Sequence, residues 1–465
     1  MPEISDISPT SEQMELLSLV DGKGAERHSR RKAYRAYYEG SHSTQLSERQ
    51  RKYLSIKVGE EFNSNYCPTV VDALAEKLTV IGFKTSDEQR NLLWEWWQRA
   101  RMDAVQNIVH LAAARDGDAY VIVGFDREMH IPTFTFEMAY DGNEGVEVRY
   151  GNSKRGQISF AFKKWQENTG YRVNLYFSDR IEKYFRKSIT DGVAVIDKAS
   201  YESWQPYMDA GDEAWPVPWV SKDGVPLGIP VIHFRNKDRG YNYGKSELHD
   251  VIPLQNALNK AIIDTVAAAD TTGFRLYWMT GGDPEGLQIV PGSWVYSKDV
   301  NAKVGYFPGE DLSKLIEFKD AFAMEIARVS RTPISYFQMS RQLAGEGTLQ
   351  QQEGGLLSRA KDRQKVFGNA WEDVMMIARK LWNAFADGIH LDEEEMLESL
   401  WADPETRNDK RYLEEMRLKH ELGIPLDILW AEMGYSAEDI EDMKLSPEYQ
   451  GRLRMMELGF GDENG

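Results

Sequence analysis

Cysteine is nearly absent from this 465-residue chain. Cys67 stands alone, which excludes an internal disulfide framework and zinc centres built from cysteine clusters, and its thiol is expected to be structural. Long apolar runs are missing too. No stretch approaches the roughly 18 consecutive apolar residues of a membrane span, and the N-terminus lacks a charged-then-apolar signal pattern, so a protein kept inside a cell, or inside something assembled there, is expected. The eight histidines form no HExxH pair and no two-histidine-plus-carboxylate cluster, so neither metal nor other cofactor is expected. There is no GxSxG elbow, and Cys67 lacks a local base, so no enzymatic activity is expected. Basic residues are also in deficit, 56 against 74 acidic, for a net charge of -18, which argues against a clamp that grips nucleic acid through dense phosphate contacts. With 42% hydrophobic residues the chain can still bury large cores, in roughly three domain-sized units.

What is present changes texture along the chain. The basic stretch from His28 to Arg35, followed by Tyr37 and Tyr38, reads as a solvated helix face backed by aromatics. Pro68 marks a helix start, with Val70, Val71, Leu74 and Leu78 at helical spacing. One long helix is expected from about Glu88 to Asp116, on the stripe Leu92, Leu93, Trp96, Trp97, Ala100, Val105, Ile108, Val109 and Ala112, until Gly117 stops it. From Tyr120 to Asn236, β-branched and aromatic runs at 120–125, 133–136, 146–150, 158–162 and 171–177 predict antiparallel strands and hairpins. A proline-studded stretch, 215–230, then leads to a buried strand, Val231 to Phe234.

The segment Gly240 to Glu247 opens a new section, a helix carrying Leu248, Val251, Leu254, Leu258, Ala261, Ile262, Thr265 and Ala269 and closed by Gly273. A small β unit follows, with runs at 274–279, 294–296 and 303–307, and a second helix runs from about Asp311 to Ser330, ended by Thr332-Pro333. A hairpin this thin cannot bury both faces of its helices within one chain, so association is expected. After a loop rich in Ser, Gly and Gln comes a helix from near Gln350 to about residue 387, roughly 50 Å long. Residues 387–465 hold 22 acidic and 8 basic side chains, -14 of the total, with short helical patterns at 410–422, 425–433 and 437–443.

One segment has a catalytic look. Gly240-Tyr-Asn-Tyr-Gly-Lys-Ser246 follows a strand and precedes a helix, as a phosphate-binding loop does. Only three residues separate its glycines where that loop has four, and two of them are bulky tyrosines. A glycine turn leading to Ser246 as helix N-cap is the better reading. A nucleotide-dependent motor subunit using Lys245 stands as the alternative, as does a structural adaptor through which no DNA passes.

The order of these pieces resembles the portal protein family of tailed bacteriophages, of the siphophage type. The most specific portion is Gly244-Lys-Ser-Glu-Leu-His-Asp-Val-Ile-Pro-Leu-Gln-Asn-Ala-Leu-Asn-Lys260, supported by Thr332-Pro-Ile-Ser-Tyr-Phe337, the loop with Gly345, Gly347 and Thr348, and the long helix. The resemblance implies a multidomain α+β portal fold. Its parts would be an α/β wing (1–240), a two-helix stem (241–273 and 311–332), a small α/β clip (274–310), a tunnel loop (333–349), a long wing helix (350–387) and an acidic helical crown (388–465). It further implies a homo-oligomeric ring, usually of twelve subunits, at one capsid vertex of a virion, assembled in the host cytoplasm and without contact with a membrane. Double-stranded DNA would pass through it in packaging and ejection. The implied partners are the terminase large subunit, head-completion or adaptor proteins, and the major capsid and scaffolding proteins. The tunnel loop offers Gln338, Ser340, Arg341, Gln342, Glu346, Thr348 and Gln350, a nearly neutral polar set past which DNA would slide without a persistent grip. Arg341, Gln342 and Glu346 are expected nearest the duplex, an assignment the family pattern itself does not fix. Phe274, Tyr277, Trp278, Trp294 and Tyr296 are expected at the clip, either between subunits or in a core within one.

Overall fold

In the computed structural model, helix α1 (Ser11–Asp21) begins at a capping box in which Thr10 accepts the Gln13 N–H and the Gln13 side chain returns to Thr10. The structure describes residues 8–22, 26–42, 48, 64–151, 157–167, 169–187, 203–273, 277–281, 301–306, 312–337, 346–386, 388–405, 409–433, 440, 443–447 and 449–451. They fall into two units, Met1–Trp401 and Ala402–Gly465. Mixed helix and sheet make the chain α+β.

Helix α2 (Glu26–Glu39) is followed by α3 (Cys67–Ala75), with Pro68 in its first turn as predicted, and by strand β1 (Val80–Lys84). The single helix expected from Glu88 to Asp116 is two, α4 (Asp87–Arg99) and α5 (Met102–Asp116). Arg101 adopts φ 53°, and a left-handed residue breaks the hydrogen-bond ladder. Gly117, at φ 93°, then ends α5.

Two antiparallel sheets follow. Strand β2 (Asp118–Asp126) is the centre of a three-stranded sheet, between β3 (Ile131–Met138) and β10 (Val231–Arg235). The larger sheet runs β4 (Gly145–Tyr150), β5 (Ile158–Glu167), β6 (Gly170–Tyr176), β7 (Arg180–Lys187) and β8 (Gln205–Pro206), with β9 (Val217–Pro218) also on β7. The charged sequence of β7 hid it from pattern reading, yet it buries Glu182 and Tyr184.

The predicted hairpin comprises α6 (Ile252–Gly273), the paired strands β11 (Tyr277–Thr280) and β12 (Lys303–Tyr306), and α7 (Leu312–Ser330). Helix α6 starts later than expected. Ser246 Oγ does accept the Leu248 N–H at 2.9 Å, but the following residues form turns before the helix begins at Ile252. Helix α8 (Glu346–Phe385) has 40 residues, about 60 Å, and starts before the expected Gln350. Glu346 and Thr348 therefore belong to a helix rather than a loop.

Strand β13 (Glu398–Trp401) pairs with β1 and so places residues 388–401 with the first unit, whereas the sequence grouped them with the acidic tail. The main core gathers Trp96, Trp97, Phe234, Phe367 and Trp371 around α8. His110 lies fully buried in it, donating from Nδ1 to the Leu78 carbonyl and accepting the Trp371 indole N–H at Nε2. Burial pushes its pKa down to about 3, so it is a neutral packing residue. The second unit contains α9 (Asp409–Glu421) and α10 (Leu426–Glu432), joined through Gly423 at φ 92°, where the 410–422 and 425–433 patterns predicted helices. Most of the 437–443 pattern lies outside the described residues.

Candidate functional site

The expected channel and clip residues divide three ways. Gln338, Ser340, Arg341, Gln342, Phe274, Trp294 and Tyr296 lie outside the described residues. Glu346, Thr348 and Gln350 sit in the first turns of α8. Tyr277 and Trp278 lie on β11 opposite Tyr306 and Gly305, and Trp278, 40% exposed, covers Gly305 so closely that a Cβ there would fall 2.6 Å from its indole.

The best-defined polar construction lies where the hairpin joins the rest of the first unit. Asn236, just after β10, takes a backbone bond to Gly117 and holds Lys245 through both backbone and side chain. The Gly244 N–H donates to Asp118 Oδ1 at 2.7 Å and the Glu247 N–H to the Ala114 carbonyl at 2.9 Å. The glycine-lysine segment is thus stitched to the end of α5. Its glycine serves backbone contact. A Cβ on Gly244 would press on the Gly117 carbonyl oxygen and sit 2.6 Å from the Asn236 carbonyl oxygen. Lys245 is engaged by Asp250 at 2.8 Å. With the Gly244 N–H directed to Asp118 and Lys245 paired with Asp250, the segment does not present the wrapped row of free backbone donors that a phosphate-binding loop uses. Gly244→Ala is expected to cost about 1–3 kcal/mol through overpacking, measured as a lowered denaturation midpoint; an unchanged midpoint would contradict the close approach.

Glu247 is the centre of this joint. Its carboxylate, fully enclosed, receives Lys237 at 2.8 Å, Arg359 at 3.1 Å and Arg363 at 3.1 Å, with the Asn236 side-chain amide also at 3.1 Å. Arg359 additionally donates to the Ser330 carbonyl and, at 3.4 Å, to Thr332 Oγ1, so one guanidinium caps the end of α7 while holding Glu247. Both roots of the hairpin are thereby tied to α8. Burial would raise the Glu247 pKa, but Arg359, Lys237 and Arg363 outweigh it and pull it down to about 2. The stability this supplies is complete above an unfolded glutamate's 4.5 and is lost as pH falls through 2. It amounts to about 3 kcal/mol. The stability gap between the natural protein and Glu247→Gln should therefore narrow as pH is lowered from 5 toward 2 in urea titrations; a gap independent of pH would contradict the ion pairing.

A second buried cluster stands where the sequence suggested a solvated face. Arg31 is 1% exposed and bridges Asp118, at 2.5 Å, to Glu147, at 3.1 Å. Glu147 also accepts from Arg27 at 2.6 Å, His28 at 2.8 Å and Arg149 at 3.2 Å. Burial opposes its ionisation, yet these partners hold its carboxyl well below the usual range. Asp118 accepts from His233 at 2.8 Å, and the Tyr150 hydroxyl meets the other ring nitrogen at 2.7 Å. One carboxylate thus locks α2, β2, β10 and the Gly244 loop together. Nothing in the composition of 28–35 signals this, because the carboxylates that hold His28, Arg31 and Arg35 lie far along the chain. Among the described residues no group of three His, Cys, Asp or Glu is placed to hold a metal ion, and no helix is long and apolar enough to cross a membrane.

These are the joints of a scaffold, and comparison with known proteins assigns the scaffold. The family described as "Phage portal protein, SPP1 Gp6-like" matches residues 18–449, so the chain belongs to that family of phage portal proteins. It is 21% identical over 457 residues to the portal protein of Mycobacterium phage D29, covering 91% of this chain and 86% of that one. The portal protein of Mycobacterium phage L5 is 22% identical over 449 residues, covering 89% and 85%.

Proposed function

We propose that the chain is the subunit of a closed ring at one capsid vertex of a virion, a conduit for double-stranded DNA in packaging and ejection. The ring would be the docking platform for the terminase large subunit and then for head-completion and tail proteins, and it would contact the major capsid and scaffolding proteins during assembly in the host. It performs no chemistry of its own; a separate terminase ATPase supplies the energy. Family membership supports the class, and the observation that carries the conduit reading is the hairpin of α6 and α7 tipped by a two-stranded ribbon and rooted in the Glu247 joint. Helix α7 leaves Ile316, Phe318, Met324 and Val329 from 44% to 55% exposed, apolar surface that a neighbouring copy would cover.

In this reading residues 1–240 form the wing, α6 and α7 the stem, 274–310 the clip, 333–349 the tunnel loop, α8 the long wing helix, and the acidic C-terminal residues the crown. Arg341, Gln342 and Glu346 would approach the DNA, with Gln338, Ser340, Thr348 and Gln350 around them. Phe274, Tyr277, Trp278, Trp294 and Tyr296 would meet neighbours in the clip. An acidic subunit suits a channel through which DNA must slide unheld. Arg341→Glu tests the assignment: packaging yield should change while rings still assemble. Loss of assembly would count against a position in the channel.

A further inference from the structure

Beside the Glu247 joint, the segment after β10, the end of α7 and the first half of α8 surround a cavity of about 330 Å³, within the size range of small-ligand sites. Lys237, Arg359 and Arg363 line it on the side of Glu247, and Arg239 and Arg331 line it further out. Every carboxylate of the lining is already engaged. Asp238 pairs with Arg235 at 3.2 Å, Asp250 with Lys245 at 2.8 Å and Asp362 with Arg363 at 2.5 Å, while Glu247 is shared by three cations. Two of those counter-cations, Arg235 and Lys245, lie outside the lining. Arg239 and Arg331 are both exposed, and among the described residues neither has a carboxylate partner. A chain of net charge -18 thus keeps a concave surface with surplus guanidinium groups.

Two further observations point to an anion as the ligand. Arg359 is only 7% exposed, yet its Nε has no hydrogen-bond partner, and a buried guanidinium donor left unpaired is costly. Burial, and then the neighbouring guanidinium groups, hold the pKa of Arg359 below the usual arginine range against the pull of Glu247. The backbone adds to this. Of the four described non-glycine residues in the left-handed region, two line the cavity, Lys237 at φ 50° and Arg331 at φ 51°. Glycine would adopt that conformation freely, so keeping a long cation there favours a use for its side chain.

We propose that this cavity is an oxyanion site that takes a phosphate group, with Arg239 and Arg331 as its outer ligands and Arg359 as the inner donor. Planar guanidinium forks suit phosphate oxygens. The group could be free inorganic phosphate or a phosphodiester of DNA, and neither source requires the conduit reading to hold. The test uses the full-length protein with Arg331→Gly, which removes the cation and relieves the left-handed backbone, and Arg239→Gln, an exposed position. Asparagine, which also tolerates that backbone, replaces glycine at 331 if the helix end loosens. Binding of inorganic phosphate is followed by calorimetry at constant ionic strength, and binding of a short DNA duplex by fluorescence anisotropy; Lys222→Gln, outside the cavity, is the control. Saturable phosphate binding that weakens at least tenfold in each variant and vanishes in the double variant supports the site with a free ion. Absent phosphate binding, together with duplex binding that weakens tenfold in these variants and not in the control, supports it with DNA as the source. Equal behaviour of the natural protein and the double variant toward both probes overturns it.

Discussion

Glu247→Ala is expected to lower the unfolding free energy by about 3–5 kcal/mol, because it strands three buried or half-buried cations that share one carboxylate. The expected signature is specific to the joint. With Glu247 gone, Arg359 still caps the end of α7 but has lost its counter-charge. Replacing it with methionine in the same chain should then recover part of the loss, since a buried charge is exchanged for an apolar side chain of similar length. Guanidinium unfolding at fixed protein concentration measures both variants, the concentration being held because association shifts apparent stability. A Glu247→Ala midpoint equal to that of the natural protein, or a double variant less stable than the sum of its parts, would contradict the arrangement.

Asp118→Ala should have an effect of similar size, about 3–5 kcal/mol, for a related reason. Its carboxylate is the common acceptor for Arg31, His233 and the Gly244 N–H, so its loss frees α2, β10 and the root of the hairpin at once. The effect should reach beyond global stability. Hydrogen exchange ought to quicken at the N–H of Gly244 and in α2, while the paired strands β1 and β13, whose hydrogen bonds do not involve Asp118, stay protected. Uniformly unchanged exchange would show that Asp118 does not hold these elements together.

Much of the architecture was legible because it is written in local periodicity. The helix after Pro68, the strands from Tyr120 to Tyr176, the hairpin and the long helix each carry an apolar repeat of 3.6 or 2 residues. What escaped depends on distance or on backbone. Arg31 lies 87 residues from Asp118 and 116 from Glu147, so no window of sequence displays the pairing that turns a basic run into buried cement. β1 and β13 meet across most of the first unit, and each is too short to announce itself. The break at Arg101 interrupts a stripe that continues on both sides of it. Glu247 stood inside the most recognisable segment of the chain, but its partners Arg359 and Arg363 lie 112 and 116 residues further on. The lysine two residues earlier drew attention for a chemistry that its pairing with Asp250 does not favour.

The central claim is that thin helical hairpins with uncovered apolar surface make the chain incomplete as a single copy. Native mass spectrometry of the purified full-length protein tests it most directly. A closed assembly at a fixed multiple of the 53.3 kDa subunit, twelve in the ring the family implies, is the result expected. A 53.3 kDa species alone, at every concentration and in host extract, would contradict it.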